Sequence, residues 1–207
     1  MLNIICFGDS ITEGGHVEKQ HRWTSILQSM LDEKWPDNYR VINKGIGGNT
    51  SAQGLDRFFD DVLTYMPGLL LVEFGFNDVN VKDWSIEHRV SQQEFVRNLR
   101  EFHRVATANG SSCVYILNHT IAEVKGMQGN GRSYNENLAP YDRAVIELAE
   151  DLHAEIIDLP GMMMVRDIDL DAFLLEDNLH LSAAGNKHYA QMVFDVIIEN
   201  NFYQSHS

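Results

Sequence analysis

Hydrophobic and polar positions follow one another along this chain in two rhythms. Short, nearly continuous apolar runs fall at Asn3–Phe7, Tyr39–Ile42, Leu69–Phe74, Cys113–Leu117 and Glu155–Leu159. Each has a strand's length, and most are rich in Val, Ile, Leu and Phe, as expected of strands covered on both faces. Between them lie stretches of helical period, over Trp23–Glu33, Ala52–Leu63, Gln92–Asn109, Pro140–Leu152 and Ala183–Asn200. In the third, Phe95, Leu99, Phe102 and Ala106 share one face, and Asn109-Gly110 supplies a stop.

Five strand–helix units in succession predict an α/β fold: a doubly wound, five-stranded parallel sheet with helices on both faces. A flavodoxin-like arrangement, with strands ordered 2-1-3-4-5, is the expected form. No linker, repeat or low-complexity segment divides the sequence, so one domain is expected over residues 1–207. Two connections are long, Val79–Ser91 and Asn118–Asn137, and loops of that length in a compact domain usually carry function or move. At the end of the second, Ser133 and Glu136 have capping-box spacing. Pro140 argues against a helix that begins so early, so the two signals disagree about its start.

Composition narrows the function classes. Sixteen basic against 30 acidic residues leave a net charge of −14 with His neutral. Such a surface repels phosphate backbones and anionic headgroups, so neither a nucleic-acid nor a membrane partner is expected. No apolar run approaches the ~20 residues that span a bilayer. The start of the chain lacks a basic region and a small-residue cleavage site, and Leu2–Phe7 reads as a core strand, not a leader. Cys6 and Cys113 both fall in expected strands, where a pair of thiols reads as packing. A cytoplasmic protein is the resulting expectation. Metal-ligand spacing is missing, as are a phosphate loop and a complete dinucleotide fingerprint, since Thr50 stands where the third glycine would follow Gly45-Ile46-Gly47. Neither a metal nor another cofactor is therefore expected.

In an open parallel sheet, reacting groups gather beyond the carboxyl ends of the strands. After the first strand comes Gly8-Asp9-Ser10, after the second Gly45-Ile46-Gly47-Gly48-Asn49, and after the third Gly75-Phe76-Asn77-Asp78. Asp177-Asn178-Leu179-His180 precedes the last helix. Separate segments thus deliver Ser, Gly, Asn and an Asp/His pair to one edge.

These segments resemble, in order and across most of the chain, the four sequence blocks of the SGNH, or GDSL, hydrolases. Phe7-Gly8-Asp9-Ser10-Ile11-Thr12-Glu13-Gly14 is similar to the nucleophile block. Gly45-Ile46-Gly47-Gly48-Asn49-Thr50 is similar to the second, and implies Gly48 as a backbone donor to an oxyanion. Gly75-Phe76-Asn77-Asp78 is similar to the third, and implies Asn77 as a side-chain donor. Asp177-Asn178-Leu179-His180 is similar to the fourth, with the acid three residues before the base. The resemblance implies a serine esterase with Ser10 as nucleophile, His180 as base and Asp177 as its orienting acid. Its oxyanion hole would comprise the N–H groups of Ser10 and Gly48 and the Asn77 amide.

Acyl transfer explains the residue types. A serine is a poor nucleophile until a base takes its proton, and histidine can take and return one near neutral pH. A carboxylate holds the imidazole in the right tautomer, and hydrogen-bond donors meet the charge that develops on the carbonyl oxygen. Each residue also has an ordinary reading. Ser10 suits a helix N-cap, Asn77 and Asp78 an Asx turn, and His180 a surface position. Asp9 and Asp78 are read as loop braces, and His16 and His21 as solvated. Phe76, Trp84, His119, Met127 and Phe173 are candidate pocket walls, each with core or loop packing as its alternative.

The expected partner is a small-molecule ester, with a short acyl group such as acetyl on a small alcohol or a sugar. Gly129–Glu136 also resembles the corresponding segment of bacterial thioesterase/lysophospholipase members, which keeps that activity open. From another class, a non-catalytic flavodoxin-like ligand-binding module would use the same strand-end loops.

Overall fold

The computed structural model describes residues 1–124 and 126–200; residue 125 of the expected fourth loop and residues 201–207 of the expected domain lie outside the described residues. In chain order the elements are β1 (Leu2–Gly8), α1 (Ser10–Glu13), α2 (Trp23–Lys34), β2 (Tyr39–Gly45), α3 (Ser51–Asp61), β3 (Gly68–Glu73), α4 (Gln92–Ala108) and β4 (Ser112–Ile116). They continue with α5 (Tyr134–Leu152), β5 (Glu155–Ile157), α6 (Leu159–Val165), α7 (Leu170–Phe173) and α8 (Ala183–Glu199). The five strands are parallel and lie in the order β2-β1-β3-β4-β5, as expected of the flavodoxin-like arrangement.

β3 is buried along its whole length, as a central strand between helical layers must be. One layer is α2 against α8, where the Trp23 and Tyr189 rings lie 4.8 Å apart. The other is α3, α4 and α5. There Phe7 meets Phe58, Phe74 and Phe102 edge-to-face at 5.3–5.4 Å. Such pairs add to the area they bury, because ring edge and ring face carry opposite partial charge.

Among the boundaries that differ from the sequence pattern, two have a clear reason in their hydrogen bonds. β5 stops at Ile157 because Asp158 turns its carboxylate onto the Gly161 N–H and caps α6, with a proline in the first turn. α5 begins at Tyr134, and the Ser133/Glu136 capping box forms despite Pro140 inside the helix. Tertiary bonds hold that early start. The Tyr134 hydroxyl donates to Phe76 O, and Asn137 donates to Gln128 and accepts from Asn130.

What positions the site is the level register of three strand ends. Gly8 stands opposite both Gly45 and Glu73. The α1 turn then crosses directly over β2, so close that a Cβ at Gly45 would lie 2.1 Å from the Glu13 nitrogen. Only glycine fits there. Gly45→Ala is therefore expected to destabilise the fold by ~1–3 kcal/mol. Thermal melting would show this as a drop of about 2–4 °C per kcal/mol for a chain of this size; an unchanged Tm would refute the close approach.

Candidate active site

Ser10 opens the α1 turn, but its side chain does not cap it. Asp9 does, with its carboxylate accepting from the Ile11 N–H at 3.0 Å. That leaves the Ser10 hydroxyl free to donate to His180 Nε2 at 2.9 Å. His180 comes from a different segment, held in place by its backbone. Leu175 N donates to His180 O at 2.7 Å, and Leu174 and Leu181 form an antiparallel bridge. One residue further on, Ser182 caps α8 through the Gly185 N–H.

Asp177 closes the tight turn before His180. One carboxylate oxygen accepts from the Leu179 and His180 N–H groups at 3.0 and 2.9 Å, and the other accepts from His180 Nδ1 at 2.6 Å. Because the carboxylate can only accept, Nδ1 carries the proton and Nε2 faces the serine as the acceptor. Partial burial would raise the Asp177 pKa, but the bonds from His180 and Leu179 outweigh it and hold it at about 2.

The glycine loop and the Asn77 turn complete the edge. Gly48 has φ of 76°, and a Cβ there would meet no atom within 4 Å. Its conformation, rather than crowding by the protein, favours glycine. Among the described residues no acceptor takes the Gly48 N–H. Asn77 does not make an Asx turn; its Nδ2 donates to Asp9 Oδ2 at 2.9 Å. Asp78 braces the loop by accepting from the Ser51 N–H and hydroxyl, and burial, opposed by those bonds, raises its pKa to about 6.

A hollow of about 470 Å³ lies over Ser10, with Gly48, Asn77, Asp177 and His180 in its wall. The structure thus brings together the five residues singled out at the strand ends. Phe76 also reaches this hollow, although it is only 2% exposed and packs between Tyr134 and His119. The other proposed walls lie elsewhere. Trp84 and Met127, 86% and 69% exposed, line an adjoining hollow formed where the two long loops meet. His119 and Phe173 are core residues. Leu179 covers His119, which donates to its carbonyl at 2.8 Å, and α7 folds back so that the Phe173 ring meets His119.

Other residues at the site carry no signal in the sequence pattern. His16 is solvent-exposed, yet its ring lies 3.8 Å from that of His180. Partial burial, then the neighbouring imidazole, lower its pKa. Glu13 accepts from Gly47 N at 2.8 Å and steers the glycine loop. Arg57 donates to Gly8 O, Lys44 O and Asn49, clamping the ends of β1 and β2. Among the described residues no three His, Cys, Asp or Glu side chains form a metal-ligand group, and no helix is long and apolar enough to cross a membrane.

A doubly wound sheet with hydroxyl, imidazole and carboxylate linked at its carboxyl edge is the build of an ester hydrolase. The chain belongs to the GDSL-like lipase/acylhydrolase family, whose sequence profile matches residues 6–188. That membership places it among the carboxylic ester hydrolases and sets aside the non-catalytic flavodoxin-like alternative. It is 31% identical to the uncharacterized lipoprotein YqeF of Bacillus subtilis over 70% of this chain, a match that spans 58% of YqeF. It is 28% identical to the isoamyl acetate-hydrolyzing esterase 1 homolog of Bos taurus, over 89% of this chain and 76% of that protein. The crystal structure of the acetyl xylan esterase AlAXEase superposes with a TM-score of 0.79 at 22% identity, covering 95% of this chain and all of the other. That likeness is one of fold.

The buried His119 makes a stability prediction. Burial lowers its pKa to about 4, against the Leu179 bond that raises it, while an unfolded histidine titrates near ~6.5. The unfolded chain therefore binds more protons between these values, and this contribution to stability is complete above pH ~6.5 and lost as pH falls toward 4. His119→Gln keeps a donor for Leu179 O without the titration. Its Tm should fall less than that of the wild type between pH 6.5 and 4.5; parallel curves would contradict the assignment.

Proposed function

We propose that this chain is a serine esterase that hydrolyses short-acyl, acetyl-like esters of small alcohols or sugars through an acyl-enzyme. The observation that carries the reading is the continuous line of hydrogen bonds from Ser10 through His180 to Asp177 at the carboxyl edge of the sheet. In it, His180 Nε2 takes the Ser10 proton as Oγ attacks the ester carbonyl. The Nδ1–H stays on Asp177, whose charge offsets that of the imidazolium. The tetrahedral oxygen is met by the N–H groups of Ser10 and Gly48 and the second N–H of Asn77. Collapse expels the alcohol, which receives the proton from His180. Water, deprotonated by the same nitrogen, then cleaves the acyl-enzyme and frees Ser10.

The polarity of the hollow supports a short acyl group. Burying a long chain gains ~0.8 kcal/mol per methylene only against apolar walls. Here Phe76, Val124, Leu179 and the ring of Tyr134 share the wall about equally with polar groups, Ser10, Glu13, Asn77 and His180 among them, which leaves only a short apolar stretch. The names of an isoamyl acetate-hydrolyzing relative and an acetyl xylan esterase of like fold point the same way. The cytoplasm is the compartment we propose, in keeping with two buried cysteines that form no disulfide.

A panel of p-nitrophenyl esters of increasing chain length, acyl-CoAs and acetylated sugars tests the substrate. kcat/KM should peak at acetyl to butyryl esters; a maximum at long chains or at thioesters would overturn this reading. Ser10→Ala should lose ester turnover while its stability stays within about 0.5 kcal/mol of wild type. Near-wild-type turnover would refute the covalent mechanism. Asp177 stays ionised down to about 2, so the acid limb of kcat/KM should not report that carboxylate; an inflection that moves in Asp177→Asn alone would contradict this.

A further inference from the structure

The residue that unites the two non-serine oxyanion donors lies outside all four strand-end segments. Arg89 sits near the end of the long connection after β3. Its backbone is fixed there: Arg89 N donates to Asn80 O at 3.0 Å, Val90 N to Asp78 O at 3.2 Å, and Val90 O accepts from the Tyr141 hydroxyl at 2.6 Å. From that anchor the guanidinium reaches across the edge of the hollow. Nη2 donates to Gly48 O at 3.1 Å and to Gln53 Oε1 at 3.3 Å, while Nη1 donates to Asn77 Oδ1 at 3.4 Å.

These contacts decide how both donors face. The Asn77 amide is held at its two ends, its oxygen toward the guanidinium and its nitrogen toward the Asp9 carboxylate. A flipped amide would set NH₂ against a guanidinium, which has no acceptor to offer, and would give up the bond that Asp9 Oδ2 now accepts. Only one orientation survives, and it leaves the second N–H for the hollow. Gly48 has no side chain, a φ of 76° and open space around its Cβ position, so packing does not fix its peptide. The Gly48 carbonyl, in the peptide that follows the donor N–H, accepts from Arg89, and the Asn49 N–H of that same peptide donates to Ile46 O at 3.2 Å, so Arg89 restrains Gly48 from its C-terminal side. Gln53, the third partner, also accepts from Thr50 in the capping box of α3, which ties the same guanidinium to the rigid start of that helix.

We infer that Arg89 is a positioning residue: it holds the Gly48 peptide and the Asn77 amide in register as one oxyanion site. This rests on the proposed reading of Ser10 as nucleophile. The side chain is exposed, so water screens its charge, and its effect comes through geometry. Since the donors are needed only as the carbonyl oxygen gains charge, their misplacement should appear in kcat and not in KM.

The test is steady-state hydrolysis of p-nitrophenyl acetate by Arg89→Ala, Arg89→Lys, Asn77→Ala and the Asn77→Ala/Arg89→Ala double variant, with Ser10→Ala alongside. Arg89→Ala should lower kcat by ~10- to 100-fold, as for a small displacement of a catalytic group, with KM within about two-fold and Tm little changed. Millimolar guanidinium should restore part of that loss. Arg89→Lys, which lacks the planar fork, should fall between. The double variant should lose less than the product of the two single losses, because one residue acts partly through the other. Wild-type kcat in Arg89→Ala, equal losses in kcat and Tm with no guanidinium rescue, or fully multiplicative effects would overturn the inference. Should Arg89→Ala not fold, Arg89→Lys decides on the same kcat/KM split. If Ser10→Ala keeps wild-type turnover, the underlying esterase reading has failed, whatever Arg89 does.

Discussion

The structure depends on how closely the α1 turn lies against the ends of β1 and β2. At Gly8 a Cβ would stand 2.3 Å from the Thr12 hydroxyl, and at Gly45 it would meet the α1 backbone. Bare backbone at these two positions lets the turn that carries Ser10 fold back over the sheet instead of projecting from it. Everything at the edge is then set by distance from that turn. Glu13 reaches the glycine loop, Asp9 reaches Asn77, and the Ile11 carbonyl accepts from the indole of Trp23 at 3.0 Å. Through Trp23 the turn is also registered to the last helix, since Asn186 accepts from the Trp23 N–H at 2.9 Å and donates to Ser182 O. The segment bearing His180 is thereby placed relative to Ser10 across 170 residues of chain.

Beneath the reactive edge lies a buried layer of carboxyl groups. Asp9 and Glu73 are both out of solvent and hydrogen-bonded to each other, with Thr12 donating to Glu73 at 3.0 Å. Burial, then the Asp9 charge, push Glu73 well above the ordinary carboxylate range. Burial also raises Asp9 to about 7, although the Ile11 and Asn77 bonds favour its charged form. The Asp9 charge opposes ionisation of Glu73 beside it, while the Ile11 and Asn77 bonds favour charge on Asp9 itself. Asp9 thus remains an acceptor for the Asn77 amide. The surface end of the site works oppositely: Asp177, near water and bonded three times, stays charged. Carboxylates of one chemical type are shifted in opposite directions because their surroundings differ.

Much of this was legible in the linear pattern. Alternating apolar runs and helical stretches define a parallel sheet, because strands covered on both faces and their crossover helices have separate periodicities. Connection rules limit the order of the strands to a few possibilities, of which the flavodoxin-like 2-1-3-4-5 is the one found. The rule that groups gather at carboxyl ends picks out the segments after the first three strands. Their resemblance, with that of the segment before the last helix, to the GDSL hydrolase blocks singles out Ser10, Gly48, Asn77, Asp177 and His180. The start of α5 was ambiguous, because a capping box and a proline oppose one another locally and the bonds to Phe76, Gln128 and Asn130 that decide between them are distant.

Tertiary structure alone decided which side chains meet the hollow. Trp84 and Phe173 are both large and apolar, and nothing in their neighbours along the chain separates an exposed ring from a buried one. The folding of α7 onto α8 buries Phe173, while the meeting of the two long loops leaves Trp84 in the open. His119 passes from candidate wall to core because Leu179, sixty residues away, covers it. His16, Arg57 and Arg89 come to the site by contacts between segments that lie far apart in sequence. Periodicity and motif spacing report what a segment buries along its own length. The sequence therefore determined the sheet and the chemistry at its edge, and the three-dimensional packing decided the walls and the arginines that hold that edge in place.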